Sequence, residues 1–358
     1  MIAISAEELD ALRSRIITTR WPRAAWIDPT ADEWTAGTPD AELRRLAGYW
    51  ADGYDWRRHE DEINALPWNQ ADIAGSVLTY LRFDAVRPRA LPLVLTNGWP
   101  SSFFELVPLA RRLQPDFTVI VPCLPGFPLG PRPPAGGTQI PTHELWHRLM
   151  HDELGFARYG AHGGDLGAGT TSLLGQEYPT VVAGIHLMSI ANPPDYDAAT
   201  LTGEERDYLA AVARWFADEG AYEHQQMTRP ATLSYGLSDS PVGLLAWLLE
   251  KYHAWDGAFS DDEILTQASL YWHTGTIATS FRPYWDFGRG RTERVRRVEA
   301  PTAIAVFPND LSQPPRSWAE RTYNVVRYTR MPRGGHFAPH QETELLAADI
   351  TAFFESLH

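Results

Sequence analysis

The chain has 358 residues, of which 44% are hydrophobic and 21% are charged, and its formal net charge is −14 at pH 7. This composition is typical of a globular enzyme, and the negative charge argues against nucleic acid or an anionic membrane as the main partner. Cys123 is the only cysteine, which excludes disulfides and a cysteine-based zinc site within one chain.

The first residues, MIAISAEELDALRSRI, lack the basic and apolar regions of a signal peptide. No apolar run reaches the roughly 20 residues that a membrane span needs. We therefore expect a cytoplasmic protein without a membrane anchor. Lys251 is the only lysine and follows no glycine-rich loop, which excludes a P-loop nucleotide site. The sequence leaves the oligomeric state open, a homo-oligomer included.

The first part of the chain has the apolar spacing of helices, over residues 5–19 and 40–65, around the turn-rich stretch WPRAAWIDPTADEWTAGTPD. Strand patterns then begin at SVLTYLRF (76–83), PLVLTN (92–97) and FTVIVPCLPGF (117–127). A helix, the short strand ARYGAH, another helix and the strand VVAGIHLMSIAN (181–192) follow. Strands and helices that alternate at this spacing predict a mostly parallel sheet flanked by helices.

Strand signals vanish between residues 193 and 298, where helical patterns rich in aromatic residues dominate. They return at PTAIAVFPND (301–310) and NVVRYTR, before a final helix, LLAADITAFFESL. The fold class predicted is α/β, with one sheet interrupted by an inserted helical lid. The predicted domains are an N-terminal helical segment (1–75), a sheet core (76–192 and 299–358) and the lid (193–298).

The stretch GGDLG, at residues 163–167, lies between a predicted strand and a predicted helix. It has the form of a nucleophile elbow, in which small residues flank the nucleophile because the turn is too tight for bulky side chains. The central residue is Asp165, and a carboxylate nucleophile suits attack on a saturated carbon with a leaving group. The alternative is that Asp165 only caps the helix.

Two further residues follow Asp165 in the chain order of a catalytic triad. Asp310 comes directly after a predicted strand, and His336 lies in the glycine-rich loop MPRGGHFAPH before the last helix. The loop TNGWPSSFFE (96–105) takes the place that supplies one oxyanion donor in this architecture. We expect the backbone N–H groups of Trp99 and Leu166 to form that pair, and the Trp99–Pro100 bond is a candidate for the cis form.

A zinc-protease pattern, HELWH (143–147), offers a competing function. His143 and His147 would lie one helical turn apart, with Glu144 as a base and His151 on the same face. The pattern fixes only three positions, so chance matches are common. Its helix is expected to pack outside the sheet, away from the carboxyl ends of the strands, and we predict no metal site.

Six phrases, in matching order, resemble α/β-hydrolase-fold epoxide hydrolases of the branch that contains the microsomal and juvenile-hormone enzymes. They are YDWRRHEDEINALP, GWPSS, GGDLG, DSPVGLLAW, YWHTGTIATSFRPY and GGHF. The resemblance covers nearly the whole chain, and its first phrase resembles the segment that wraps the core in that branch. It implies that an epoxide and water react to a vicinal diol, with no metal or organic cofactor. The aromatic-rich lid predicts that the epoxide is hydrophobic.

The resemblance also implies roles for residues. Two lid tyrosines of that family polarise the epoxide oxygen, and the matching positions are Tyr222 in GAYEHQQMTRP and Tyr284 in SFRPY. Without the family, either residue reads as a packed lid aromatic, and Tyr235, Tyr252 and Tyr271 are rivals. Asp165 would attack the epoxide, His336 oriented by Asp310 would activate water, and the N–H groups of Trp99 and Leu166 would hold the oxyanion.

Two positions depart from the family pattern: Asn97 replaces the histidine of HGWP, and Leu166 replaces the tryptophan of GGDWG. The backbone donors survive both changes, although the shape of the substrate site can differ. A haloalkane dehalogenase is the nearer rival, because it shares the aspartate and histidine and needs halide donors such as Trp99 and Asn97. A binding protein on an inactive hydrolase scaffold is the third alternative, which the intact set of Asp165, Asp310 and His336 disfavours.

Overall fold

The computed structural model describes residues 2–22, 34–134 and 140–357. In these ranges eight strands form one sheet: β1 (Trp68–Ile73), β2 (Ser76–Phe83), β3 (Pro92–Thr96), β4 (Thr118–Pro122), β5 (Tyr159–Gly163), β6 (Val182–Leu187), β7 (Val298–Val306) and β8 (Tyr323–Arg330). Their order across the sheet is β1-β2-β4-β3-β5-β6-β7-β8. β2 pairs antiparallel with both β1 and β4, and all later neighbours pair parallel. The predicted mostly parallel sheet is confirmed.

The sheet is buried on both faces, as the continuous apolar runs of β3 and β4 predict. Successive residues of β3 alternate between two hydrophobic clusters, with Val94 in one and Leu93 and Leu95 in the other. Ile120 and Val121 of β4 divide in the same way, because neighbouring side chains of a strand point to opposite faces. Helices cover both faces: α4 (Phe103–Leu113), α5 (Thr142–His147), α6 (Leu166–Glu177), α14 (Arg316–Glu320), α15 (Ala338–Gln341) and α16 (Thr343–Glu355). We number helices in chain order.

The N-terminal part contains α1 (Ala6–Ile17), α2 (Asp40–Asp52) and α3 (Trp56–Asn64). The predicted helix over 40–65 is therefore two helices, because the chain turns at Gly53 and Asp55 caps α3 through the N–H of Arg58. β1 was not predicted, since WNQADI is polar and only two of its residues are buried. Residues 23–33 of the predicted turn-rich stretch lie outside the described residues.

Between β6 and β7 the described chain is helical, as predicted for the lid: α7 (Gly203–Glu219), α8 (Ala221–Thr228), α9 (Pro230–Asp239), α10 (Pro241–Ala254), α11 (Asp261–Thr274), α12 (Ile277–Ser280) and α13 (Arg282–Gly288), after one 3-10 turn. The N-terminal helices contact it directly. The indole of Trp50 donates to Ser269 at 3.0 Å, and Arg15 pairs with Asp239 at 2.9 Å. The domain boundaries themselves remain a prediction.

The carboxyl ends of the parallel strands meet at one edge of the sheet. Asn97 follows β3, Asp165 follows β5, Asp310 follows β7 and His336 follows β8. Topology therefore brings together residues that are far apart in the chain. Among the described helices, none is long and apolar enough to cross a membrane.

The turn into α6 gives a direct test of its packing. A Cβ added at Gly167 would lie 2.1 Å from the carbonyl oxygen of Thr96, whereas one at Gly169 meets no described atom within 4 Å. We expect Gly167→Ala to lower the free energy of unfolding by about 1–3 kcal/mol. Gly169→Ala, the matched control, should raise it by up to about 1 kcal/mol, because alanine favours helix. Urea denaturation measures both, and equal stabilities would contradict the close approach.

Candidate active site

Asp165 occupies the strained turn between β5 and α6, as the elbow pattern predicts. Its φ is 50°, in the left-handed region that few residues other than glycine adopt, and such strain concentrates at functional sites. A Cβ at Gly163 would lie 2.3 Å from the carbonyl oxygen of Gly167, so the turn accepts only glycine there. The Asp165 N–H donates to the hydroxyl of Ser189 at 2.9 Å, a support that the sequence analysis missed.

The loop after β3 passes directly over the Asp165 carboxylate. The N–H of Trp99 donates to Oδ1 of Asp165 at 2.8 Å, and the N–H of Leu166 also bonds this carboxylate. A Cβ at Gly98 would lie 2.3 Å from the same Oδ1, so only glycine permits this approach. The Trp99–Pro100 bond is cis. Both backbone donors expected for an oxyanion hole therefore face the same carboxylate.

The structure brings Asp310 and His336 to the same place. Nδ1 of His336 lies 2.8 Å from Oδ1 of Asp310, which also accepts a hydrogen bond from the N–H of Leu311 at 2.7 Å. Nε2 of His336 lies 4.0 Å from Oδ2 of Asp165. This spacing leaves the imidazole oriented by one carboxylate and directed at the other.

Charges in the site act on one another. Burial alone would lower the pKa of His336, but the carboxylates of Asp310, Asp165 and Glu105 raise it to about 9. Burial raises the pKa of Asp165, against the opposing effects of His336 and the two backbone donors. The Asp165 side chain keeps 14% of its exposure, so it is screened from water but reachable. A cationic imidazole beside a carboxylate is the expected resting state.

Tyr222, on α8, and Tyr284, on α13, meet in the lid around Trp99. Their ring centroids are 6.2 Å apart, and both side chains are buried. Burial, reinforced by the charge of Asp165, holds the pKa of both phenols well above the ordinary value, so both stay protonated. The ring of Trp99 stacks on Tyr222 at 5.2 Å and meets Tyr284 edge-on at 6.2 Å.

The three rival tyrosines have other environments. Tyr235 is 81% exposed on α9. The hydroxyls of Tyr252 and Tyr271 donate to the carbonyl oxygens of Pro100 and Ser101, at 3.2 and 2.9 Å. These two phenols therefore hold the oxyanion loop in place, a function that the sequence pattern did not indicate.

Lys251 also belongs to the surroundings of the site. It is 2% exposed, its Nζ lies 5.0 Å from the ring centroid of Tyr222, and it pairs with Glu250 at 2.6 Å. A cation over an aromatic face is attracted by the ring, so Lys251 helps to fix Tyr222. Glu223, the next residue after Tyr222, has its pKa raised to about 7 by burial and by the charge of Asp165.

The two departures from the family pattern occupy different environments. Asn97 is 3% exposed and its amide donates to the carbonyl oxygen of Gly98 at 3.0 Å, which supports the oxyanion loop. Leu166 is half-buried and packs against the hydrophobic core that includes Trp99. Neither side chain displaces Trp99 N–H or Leu166 N–H from the carboxylate.

His147 of HELWH lies at the opposite end of β5 from Asp165. Nδ1 of His147 is 3.0 Å from the hydroxyl of Tyr159, the first residue of that strand, and its ring stacks on Tyr178 at 3.6 Å. His143 approaches Glu293 at 3.7 Å, and Glu144 pairs with Arg148. Within the described ranges, the one group with metal-ligand spacing consists of His147, His151 and Asp152, without His143 or Glu144. The protease pattern is therefore not assembled.

Two protein-family models match the chain. Residues 1–106 match the model described as epoxide hydrolase N terminus, and residues 92–223 match the alpha/beta hydrolase fold. The first match contains the N-terminal helices, and the second contains β3, the elbow and Tyr222. Together they cover the segments from which the site is built, except Asp310, His336 and Tyr284.

Named relatives agree with these models. A putative epoxide hydrolase of Stigmatella aurantiaca is 36% identical, over 99% of this chain and 84% of that protein. The structure of Aspergillus niger epoxide hydrolase has a TM-score of 0.90 and 28% identity, and covers 100% of this chain and 96% of that one. Juvenile hormone epoxide hydrolase from Bombyx mori has a TM-score of 0.87 and 25% identity, over 99% and 93%. The chain belongs to the epoxide hydrolase family of the α/β-hydrolase fold.

Proposed function

We propose that this protein hydrolyses a hydrophobic epoxide to a vicinal diol through a covalent ester on Asp165. One arrangement carries the proposal: a carboxylate held by backbone donors lies 4.0 Å from an imidazole, and two protonated phenols pack on the ring of Trp99, whose N–H is one of those donors. The substrate class follows from the aromatic surroundings of Trp99, which include Tyr222, Trp247 and Phe281. Such rings offer apolar contact area and few polar partners.

In the first step, Oδ2 of Asp165 attacks an epoxide carbon and the carbon–oxygen bond of the ring breaks. Tyr222 and Tyr284 hydrogen-bond the leaving oxygen, and one phenol gives it a proton. Their raised pKa values keep both phenols in the donor form that this step needs. Oδ1 stays on the N–H of Trp99 and becomes the carbonyl oxygen of the ester.

Before the second step, the cationic His336 releases its proton to solvent, because alkylation of Asp165 removes one of its counter-charges. The neutral imidazole then takes a proton from water, and the hydroxide oxygen adds to the ester carbon. The backbone donors stabilise the charge on Oδ1 in the tetrahedral intermediate. Its collapse expels the diol oxygen, which takes the proton from His336. The Asp165 carboxyl then loses its proton to solvent, the phenolate regains one, and His336 takes one from solvent to return to its cationic form, so atoms and charges balance.

A haloalkane dehalogenase would need free N–H donors for a halide. The Asn97 amide already donates to the carbonyl oxygen of Gly98, which leaves Nε1 of Trp99 as the donor of this pair without a partner among the described residues. Two buried phenols, by contrast, suit an alkoxide. These observations favour the epoxide. The cytoplasmic location remains a prediction from the sequence.

Trapping the ester tests the covalent step. We expect His336→Gln to slow breakdown of the ester by about 10²–10⁴-fold, because the general base is lost, so that the protein gains the mass of one epoxide on Asp165. Intact-mass spectrometry and peptide mapping measure this. His340→Gln, which changes a neighbouring histidine paired with Glu263, is the control and should turn over normally.

Oxygen-18 water provides the complementary measurement. In a single turnover in labelled water, the first diol should carry an unlabelled oxygen from Asp165, and the label should enter the carboxylate. A first-turnover diol labelled from solvent would show direct attack by water and would refute the ester.

The phenols can be tested separately from the nucleophile. We expect Tyr222→Phe and Tyr284→Phe each to slow ester formation by about 100-fold, and the double variant more, because a donor to the developing charge is lost. Rapid-quench mass spectrometry with a panel of aliphatic, styrene-type and polycyclic epoxides measures the rate. Tyr235→Phe, at an 81% exposed lid position, is the matched control. Wild-type alkylation by the double variant would exclude the phenols as acids.

The pH dependence of ester breakdown should report a lower pKa for His336 than His336 has in the free enzyme. Asp310, Asp165 and Glu105 raise the pKa of His336 to about 9 in the free enzyme. Alkylation makes Asp165 neutral and removes one of these charges, so the pKa of His336 falls in the intermediate. The breakdown rate should rise with pH and reach its plateau at a pH below the pKa that His336 has in the free enzyme. NMR titration of His336 and single-turnover rates measure the two values, and a plateau above the free-enzyme pKa would contradict the prediction.

A further inference from the structure

A small cavity of about 20 Å³ lies beside Asp165, on the side of the sheet core. None of the described lid residues lines it. Its walls come from the loop after β3, from α4, from β5 and from the loop around His336: Thr96, Asn97, Gly98, Trp99, Ser101, Glu105, Leu106, His162, Gly164, Asp165, His336 and Pro339. A cavity needs roughly 10–15 Å³ to hold one water. Its size therefore fits a single water in contact with both the nucleophile and the base.

The lining holds buried polar atoms that need a partner. Oδ1 of Asn97, Nε1 of Trp99 and Nε2 of His162 have no hydrogen-bond partner in the described parts of the chain, whereas Oγ of Ser101 bonds the carboxyl of Glu105. Asn97, Trp99 and His162 are 3%, 0% and 1% exposed. Buried polar atoms are almost always paired, and a water commonly makes about three hydrogen bonds to such groups. The cavity thus offers the polar partners that would hold one.

His162 is the inner end of a buried hydrogen-bond chain. Its Nδ1 lies 3.0 Å from Nδ1 of His186 on β6, and Nε2 of His186 lies 3.1 Å from Oδ2 of Asp349 on α16. The other oxygen of Asp349 accepts from Arg327, at 2.8 and 2.6 Å, and from Thr329 at 2.8 Å. The chain runs from the outer helix, through two strands, to the cavity.

This chain of hydrogen bonds determines which nitrogen of His162 and of His186 carries a proton. The carboxylate of Asp349 accepts only, so Nε2 of His186 must donate to it. Arg327 already balances the charge of Asp349, and a second proton on the fully buried His186 would add a charge without a counter-charge. His186 therefore accepts at Nδ1, His162 donates from Nδ1, and Nε2 of His162 presents a lone pair to the cavity.

The ionisation of both ends agrees with that assignment. Burial holds the pKa of His162 well below its ordinary value, so its imidazole is neutral. Burial acts to raise the pKa of Asp349, but the hydrogen bonds from His186, Arg327 and Thr329 hold it well below its ordinary value. The chain thus has a carboxylate at one end and a neutral acceptor at the other.

We propose that this cavity is the site of the hydrolytic water and that His162 is a positioning residue for it. The inference rests on the proposed function, because it assigns a role within the second step. A water in the cavity has two hydrogens to direct: one goes to His336, the base, and the other to Nε2 of His162. With both hydrogens directed in this way, a lone pair remains for the ester carbon of Asp165.

Substitution by asparagine or by glutamine distinguishes the roles of the two ring nitrogens of His162. Asparagine places its polar group near the position of Nδ1 and can keep the contact with His186, whereas glutamine reaches the position of Nε2 and can present an acceptor to the cavity. We expect His162→Asn to slow ester breakdown by about 10–100-fold, because the water loses its orientation. His162→Gln should recover most of the wild-type rate. Ester formation should be unchanged in both variants.

Rapid-quench intact-mass spectrometry measures ester formation and ester breakdown separately. The substrate is chosen from a panel of styrene oxide, cyclohexene oxide, stilbene oxide and long aliphatic 1,2-epoxides, as the epoxide that gives most ester with the wild type. Thr171→Val, which changes another buried hydroxyl outside the cavity, should match the wild type in both steps. Equal loss in both steps, equal rates for the asparagine and glutamine variants, or unchanged breakdown in the asparagine variant would overturn the role of His162. Absence of any ester in the wild type would instead refute the proposed function and, with it, this inference.

Discussion

The site depends on a backbone contact between the end of β3 and the start of α6. Gly98 and Gly167 have no side chain because the backbone and the Asp165 carboxylate already occupy that space. The contact brings the N–H of Trp99 to 2.8 Å from Oδ1 of Asp165 and so sets the position of the nucleophile and of the oxyanion donor together. From the lid, Tyr252 holds the carbonyl oxygen of Pro100 in the same loop. The lid is therefore part of the support for the loop as well as the cover of the site.

Electrostatics connects the two proposed steps. In the resting site, His336 lies between Asp310 and Asp165, and a cation there is stable although it is buried. Once Asp165 is an ester, the same imidazole loses a counter-charge and becomes a better base without any movement. The phenols of Tyr222 and Tyr284 have the opposite requirement, and their burial keeps them protonated until one of them gives its proton to the epoxide oxygen. The same buried site thus keeps the phenols ready as acids for the first step and makes His336 a base for the second.

Much of this could be predicted from the sequence, because apolar strands and the residues directly after them have local patterns. β2 begins and ends at the predicted residues, and Asp165, Asp310 and His336 each follow a strand. Contacts between distant residues leave no such pattern: His162 and His186 are 24 residues apart, and His186 and Asp349 are 163 apart. Periodicity also could not tell which lid tyrosines are catalytic candidates and which support a loop, since this depends on the group that each hydroxyl reaches in the folded protein. The polar strand β1 was missed for a related reason, because its pairing with β2 decides its conformation.

The burial of two unusual residues has a consequence for a protein that handles reactive electrophiles. Epoxides alkylate free amines and thiols, yet the only lysine of the chain, Lys251, is 2% exposed and the only cysteine, Cys123, is 1% exposed. Burial also raises the pKa of the Cys123 thiol, which suppresses its nucleophilic thiolate form. The surface cations are arginines, whose guanidinium groups stay protonated and are poor nucleophiles. The side chains that an epoxide in solution would modify most readily are therefore out of its reach, which protects the enzyme from alkylation by its own substrate.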